Sequence, residues 1–105
     1  MYEPPFYFWV SDGEGWIRVI GAGSIQNATL FKERTRSMIR SGVHRFAVDL
    51  AECPLIDSTF TGMLASLALR LREMERGRVR ILNANADCKS FLRNLGLDTL
   101  FDLED

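Results

Sequence analysis

The chain is poor in histidine, cysteine and proline and carries almost no net charge, and each scarcity removes a class of function. Its only histidine, His44, has no second histidine or paired cysteine close by, so the usual zinc spacings are missing and no metal is expected. Cys53 and Cys88 stand far apart and outside any Cys-x-x-Cys arrangement. Buried free thiols in a cytoplasmic protein are the expectation, rather than a disulfide. A nucleophilic set of Cys53, His44 and an aspartate is arithmetically available, but nothing in the sequence brings those groups together. With 13 basic and 14 acidic residues the formal charge is −1, which gives no pull toward nucleic acid or an anionic membrane. No apolar run reaches the roughly 20 residues of a membrane-spanning helix. Met1 to Pro5 lacks the basic and apolar regions of a signal peptide. Phosphate loops are missing too: Gly21-Ala22-Gly23-Ser24-Ile25-Gln26 has glutamine where a dinucleotide fingerprint needs its third glycine. Asp49 and Asp57 invite comparison with receiver-domain phosphoacceptors, but the acidic pair those domains need after their first strand is absent. An enzyme is not expected, nor any cofactor.

What is present describes a globular chain. The 105 residues are 47% hydrophobic and 26% charged, enough for one domain over residues 1–105 and wrong for disorder. Phe6 to Val10 is aromatic and β-branched, and Trp16 to Ile20 reads as a second strand. Asp12-Gly13 between them predicts a tight hairpin turn. Ser24 or Asn27 can cap a helix running to about Ser41, with Gly42 as its stop. Ala28, Phe31, Thr35, Met38 and Ile39 recur there at helical spacing, with Lys32, Glu33, Arg36 and Arg40 on the other face. Arg45 to Leu50 reads as a buried strand, and Ala51 to Asp57 as a connection containing Pro54. A helix follows from Ser58 to Arg76, stopped by Gly77. Arg78 to Leu82 alternates as a strand, and Cys88 to Leu95 is a short helix ended by Gly96. Leu100 to Leu103 is a candidate last edge strand. The predicted order is β-β-α-β-α-β-α with a possible final β: an α/β domain whose mixed four- to five-stranded sheet is covered by helices.

The helix after Ser58 holds the informative pattern. At about 100° per residue, Phe60, Met63, Leu64, Leu67, Leu71 and Met74 form its core face. Ser58, Gly62, Ala65, Leu69, Arg72 and Arg76 lie opposite. Gly62 costs a helix interior about 1 kcal/mol relative to alanine, Ala65 keeps the surface flat, and Leu69 is a large apolar residue where water is expected. Two readings stand at this point: a docking strip for a partner helix or loop, or a single exposed leucine of no consequence. Ser58 likewise has two. Its oxygen can cap the helix by accepting from the Phe60 or Thr61 amide. A phosphate there would meet the free amides and positive end of the helix dipole while charging the edge of the strip.

The stretch Ile56-Asp57-Ser58-Thr59-Phe60-Thr61-Gly62-Met63-Leu64, following the strand Phe46 to Leu50, resembles the signature of STAS domains of the anti-sigma-factor-antagonist family. The likeness extends to the opening hairpin, Gly21, the Arg78–Leu82 strand, and Phe91-Leu92 with Leu95-Gly96-Leu97. It departs at Phe60, where glycine is often found, at Gly21–Ser24, which lacks an acidic residue, and in a stunted last helix. The resemblance implies a bacterial, cytoplasmic regulator that binds an anti-sigma factor that is also a serine kinase. Phosphorylation would release it and a phosphatase would reset it. It further implies Ser58 as phosphoacceptor, with Thr59 the alternative, Asp57 as supporting acid, and Gly62 as part of the partner-facing surface; taken with the helical-wheel strip, the expected partner-binding residues are Ser58, Thr61, Gly62, Ala65, Leu69 and Arg72. The other reading is a permanently docked subunit of a larger assembly, such as a stressosome-like scaffold or a lipid-transport ATPase. Dimerisation is left open.

Overall fold

A computed structural model describes residues 5–21 and 28–104. The caps expected at Ser24 or Asn27 lie outside them. Strands β1 (Phe6–Ser11) and β2 (Glu14–Ile20) form the predicted antiparallel hairpin. Its two-residue turn, Asp12-Gly13, has φ of 52° and 76°. Those paired positive values define the tight turn whose twist matches the strands, and an Asp-Gly pair adopts it readily. Helix α1 (Ala28–Arg40) leads to β3 (Arg45–Glu52), α2 (Ser58–Arg72) to β4 (Arg78–Leu82), and α3 (Ala86–Asn94) to β5 (Asp102–Glu104). The five strands lie in the order β1-β2-β3-β4-β5, with β2 to β5 mutually parallel. Because each crossover steps one strand in the same direction, right-handed connections put all three described helices on one face of the sheet.

Alternation along the strands sorts residues between the two faces. Phe6, Ile17, Val19, Phe46, Val48, Leu50, Val79 and Ile81 point under the helices and are buried. Phe60 fills the middle of this layer, its ring 6.0 Å from Phe6 and 5.6 Å from Phe31. That packing accounts for a large aromatic at this position. The opposite face is polar and aromatic. Trp9 stacks on Trp16 at 5.8 Å. Arg80 reaches over the small Ala47 to pair with Glu14 on β2 at 2.7 Å, and with Glu104 on β5 at 3.2 Å.

Asp49, on this same face, is 8% exposed. Burial alone would raise its pKa. The Asn83 side chain (3.0 Å), the Ala51 amide (2.9 Å) and the Arg18 guanidinium (3.4 Å) outweigh burial and hold it below the ordinary 3.8. A depressed folded-state pKa means the carboxylate adds stability above 3.8, and that this stability is lost as pH falls through the lower folded value. Asp49→Asn should therefore unfold about 1–2 kcal/mol more easily at neutral pH. In denaturant titrations its deficit relative to wild type should shrink in acid.

Both cysteines are buried, and no disulfide joins them. Burial, then the proximity of Cys53 and Asp87, pushes the Cys88 thiol up, so it stays protonated at neutral pH.

Several boundaries differ from the sequence reading: pairing carries β1 on to Ser11, starts β2 at Glu14 and extends β3 through Ala51 to Glu52, whose partner is Ile20. Helix α2 ends at Arg72, not Arg76, because Met74 and Gly77 turn tightly with amide bonds to Leu71 and Met74 carbonyls, and Arg76 takes φ 60°. Helix α3 starts at Ala86, two residues before Cys88, because Asn85 accepts from the Cys88 amide at 2.8 Å and caps it. Asp98–Leu100 forms one 3-10 turn, which moves the last strand to Asp102–Glu104.

Candidate functional site

The loop from Cys53 to Asp57 leaves the C-terminal end of β3, the end at which parallel α/β sheets present their sites. It is held firmly. Ile56 is buried, the Cys53 thiol donates to the Leu55 carbonyl at 3.3 Å, and Asn85 Nδ2 donates to the Pro54 carbonyl at 2.9 Å. Asn85 thus caps α3 with its oxygen and ties down the loop before α2 with its nitrogen.

The capping residue of α2 is Asp57 rather than Ser58. Asp57 is extended (φ −100°, ψ 173°), and its Oδ1 accepts from the Phe60 amide at 2.7 Å. Its carbonyl accepts from the Thr61 amide at 3.0 Å and from Thr61 Oγ1 at 2.8 Å. Asp57 is the last extended residue after the buried Ile56, so it, not Ser58, meets the helix's free amides. Ser58 becomes the first helical residue, exposed and without a cap bond to make. Asp57→Ala should cost about 0.5–2 kcal/mol of stability by chemical denaturation.

Thr61 is corrected as well. It is fully buried, and its hydroxyl is used on the Asp57 carbonyl, so it cannot meet a partner. The rest of the anticipated surface is brought together along one face of α2. Ser58, Gly62, Leu69 and Arg72 are exposed and Ala65 is half-buried. Leu69 is 49% exposed, which removes it from the core. Thr59 is exposed beside Ser58. One neighbour escaped the sequence reading: Leu55, three residues before Ser58, is 61% exposed. An apolar residue directly after the loop proline was its only signal.

Gly62 has no structural reason to be glycine. Its φ is not positive, and a Cβ built on it would meet nothing within 4 Å. The chain carries an unfavourable residue in the middle of a helix, and its own packing does not call for it.

No group of three or more histidine, cysteine, aspartate or glutamate side chains placed to hold a metal ion exists among the described residues. No helix among them is long and apolar enough to cross a membrane. Fold and site together define a two-layer α/β domain whose helix α2 presents a small-residue face headed by the exposed hydroxyls of Ser58 and Thr59. The family model described as Mlab, STAS domain matches residues 10–103, and the chain belongs to that family.

Solved structures show the same fold. TM1081 of Thermotoga maritima superposes with a TM-score of 0.86 at 20% identity, over 95% of this chain and 86% of that one. An anti-sigma factor antagonist from Mycobacterium paratuberculosis gives 0.80 at 18% identity, over 93% and 82%. The antagonist SpoIIAA in its unphosphorylated form gives 0.80 at 18% identity, over 95% and 88%. Its phosphorylated Bacillus form gives 0.73 at 18% identity, over 95% and 91%. At these identities the likeness is one of fold. A search of curated proteins returned no match.

Proposed function

We propose that this chain is an anti-sigma factor antagonist that works by docking and not by catalysis. In its unphosphorylated form it binds an anti-sigma factor that is also a serine kinase, in the bacterial cytoplasm, through Ser58, Gly62, Ala65, Leu69 and Arg72. Phosphorylation of Ser58 ends that binding, and a phosphatase restores it. The observation that carries this reading is Gly62, a residue costly to the helix and required by nothing inside the domain. A partner backbone approaching α2 closely supplies the missing requirement. Ser58 suits the switch for a second reason: Asp57 has taken over the cap, leaving the serine exposed in the first turn. A phosphate there adds roughly −1.5 to −2 charges at the positive end of a helix, which the fold tolerates and an apolar interface does not. Asp57, beside it, is the supporting acid. SpoIIAA, of like fold, exists in both phosphorylated and unphosphorylated forms.

Binding of the nearest-encoded kinase-type anti-sigma factor, measured by titration calorimetry, tests this. Ser58→Ala should bind like wild type. Ser58→Asp and Leu69→Glu should each bind at least about tenfold more weakly with unchanged thermal unfolding, an interface loss of about 1.4 kcal/mol or more. Equal binding by all three variants removes the reading.

In a second reading, favoured by the half-exposed Leu69 alone, the same strip docks permanently as a subunit of a larger assembly such as a stressosome-like scaffold or a lipid-transport ATPase. Retained binding by Ser58→Asp together with loss in Leu69→Glu is the result that selects it.

A further inference from the structure

Between α1 and α2 lies a cleft of about 120 Å³. Phe31, Met63 and Leu67 form its apolar floor, and Lys32, Arg36 and Arg70 its rim. The ion pairs among the described residues occupy Arg18, Arg78 and Arg80 and leave all three rim cations unpaired. Lys32 and Arg36 stand one turn apart on α1, a like-charge spacing that weakens a helix, and Arg70 adds a third cation from the facing helix. On a chain of net charge −1 this concentration is local and has no internal counterpart. It is a second rule broken without benefit to the fold, and it borders the strip that carries the first, since Ser66 on its wall lies between Gly62 and Leu69 along α2.

The size of the cleft limits its occupant. Small-molecule and cofactor sites run to roughly 300–1,000 Å³, several times this volume. One apolar side chain fits. We propose that the cleft receives an apolar anchor residue of the docked protein, flanked by carboxylates that pair with Lys32, Arg36 and Arg70. This inference rests on the docking reading above and extends its surface from α2 across to α1. Opposite charges around a desolvated apolar anchor give orientation and a fast, salt-sensitive encounter.

The probe is a short blocked peptide with one leucine flanked by glutamates, titrated into the ¹⁵N-labelled full chain by NMR. Its glutamine and lysine counterparts serve as controls. The acidic peptide should shift the amides of Lys32, Thr35, Arg36, Ser66 and Arg70 saturably. The glutamine peptide should bind at least about tenfold more weakly, and added salt should erase the difference. The double variant Arg36→Glu with Arg70→Glu should lose the response while its core amides keep their positions, which separates lost binding from lost folding. No saturable shift, shifts away from the cleft, or equal binding of the lysine peptide overturns the proposal. The two proposals fail differently. A double variant that binds the kinase like wild type, while Ser58→Asp does not, removes the cleft and spares the switch. A peptide that fills the cleft while Ser58→Asp binds the kinase normally does the reverse.

Discussion

Gly62→Ala will be more stable than wild type, by up to about 1 kcal/mol, because alanine loses less conformational entropy on entering a helix and meets nothing at this position. Gly62→Gln will keep part of that gain. Both will bind the partner less well. The glutamine variant, which pushes a long side chain into the docking strip, should lose about 2 kcal/mol of binding, roughly 30-fold. Stability and binding moving in opposite directions at one residue would identify a position kept for something outside the domain. A Gly62→Ala chain that unfolds more easily than wild type would mean that the helix needs its glycine, and the main support for a docking face would fall.

Gly77→Ala will have the opposite character. A Cβ at this position would lie 2.6 Å from the carbonyl carbon of Leu71 and closer still to its oxygen. Both are backbone atoms of the last full turn of α2, which cannot step aside as a flexible side chain can. The tight turn that ends α2 and starts β4 must therefore open. The expected cost is about 3 kcal/mol or more, at the upper end of what overpacking exacts, out of a total of roughly 5–15 kcal/mol for a domain of this kind. Denaturant midpoints of wild type and Gly77→Ala measure it directly. A loss below about 0.5 kcal/mol, the range of ordinary surface substitutions, would mean the turn is looser than described. The two glycines stand 15 residues apart and look alike in the sequence. Only the space around each distinguishes a glycine the fold needs from one it does not.

That contrast marks how far the sequence could be read. The hairpin was legible because Asp12-Gly13 suits the two positive φ values its turn requires. The first four strands were legible because period-2 alternation and β-branched composition survive without tertiary context, whereas the short fifth was only a candidate and lies two residues further on. The core face of α2 followed from helical spacing, and every residue assigned to it is buried except Met74, which packs partly buried at its edge. The end of α2 was not legible. Glu73 to Arg76 are good helix formers, and what stops them is the approach of Gly77 to Leu71. Nor was the cap legible: the sequence reading assigned it to Ser58, and aspartate and serine are comparable N-caps. The buried Ile56 and the extended Asp57 decide it. Thr61 was expected among the partner-binding residues, although its place beside the core face lets its hydroxyl be satisfied by the preceding turn. Leu55 lies in a loop, where no periodicity reports exposure. The α1–α2 cleft needs the packing of two helices and has no trace in either one alone.

The central claim, a docking face switched by charge at Ser58, is tested most directly by native mass spectrometry. The protein is mixed with the adjacent-encoded serine kinase and ATP, so that phosphate transfer and complex formation are read in one spectrum. Wild type should gain one phosphate and leave the complex as it does so. Ser58→Ala should gain none and stay bound. Phosphate appearing equally on Ser58→Ala, or a phosphorylated chain that remains in the complex, would contradict the account.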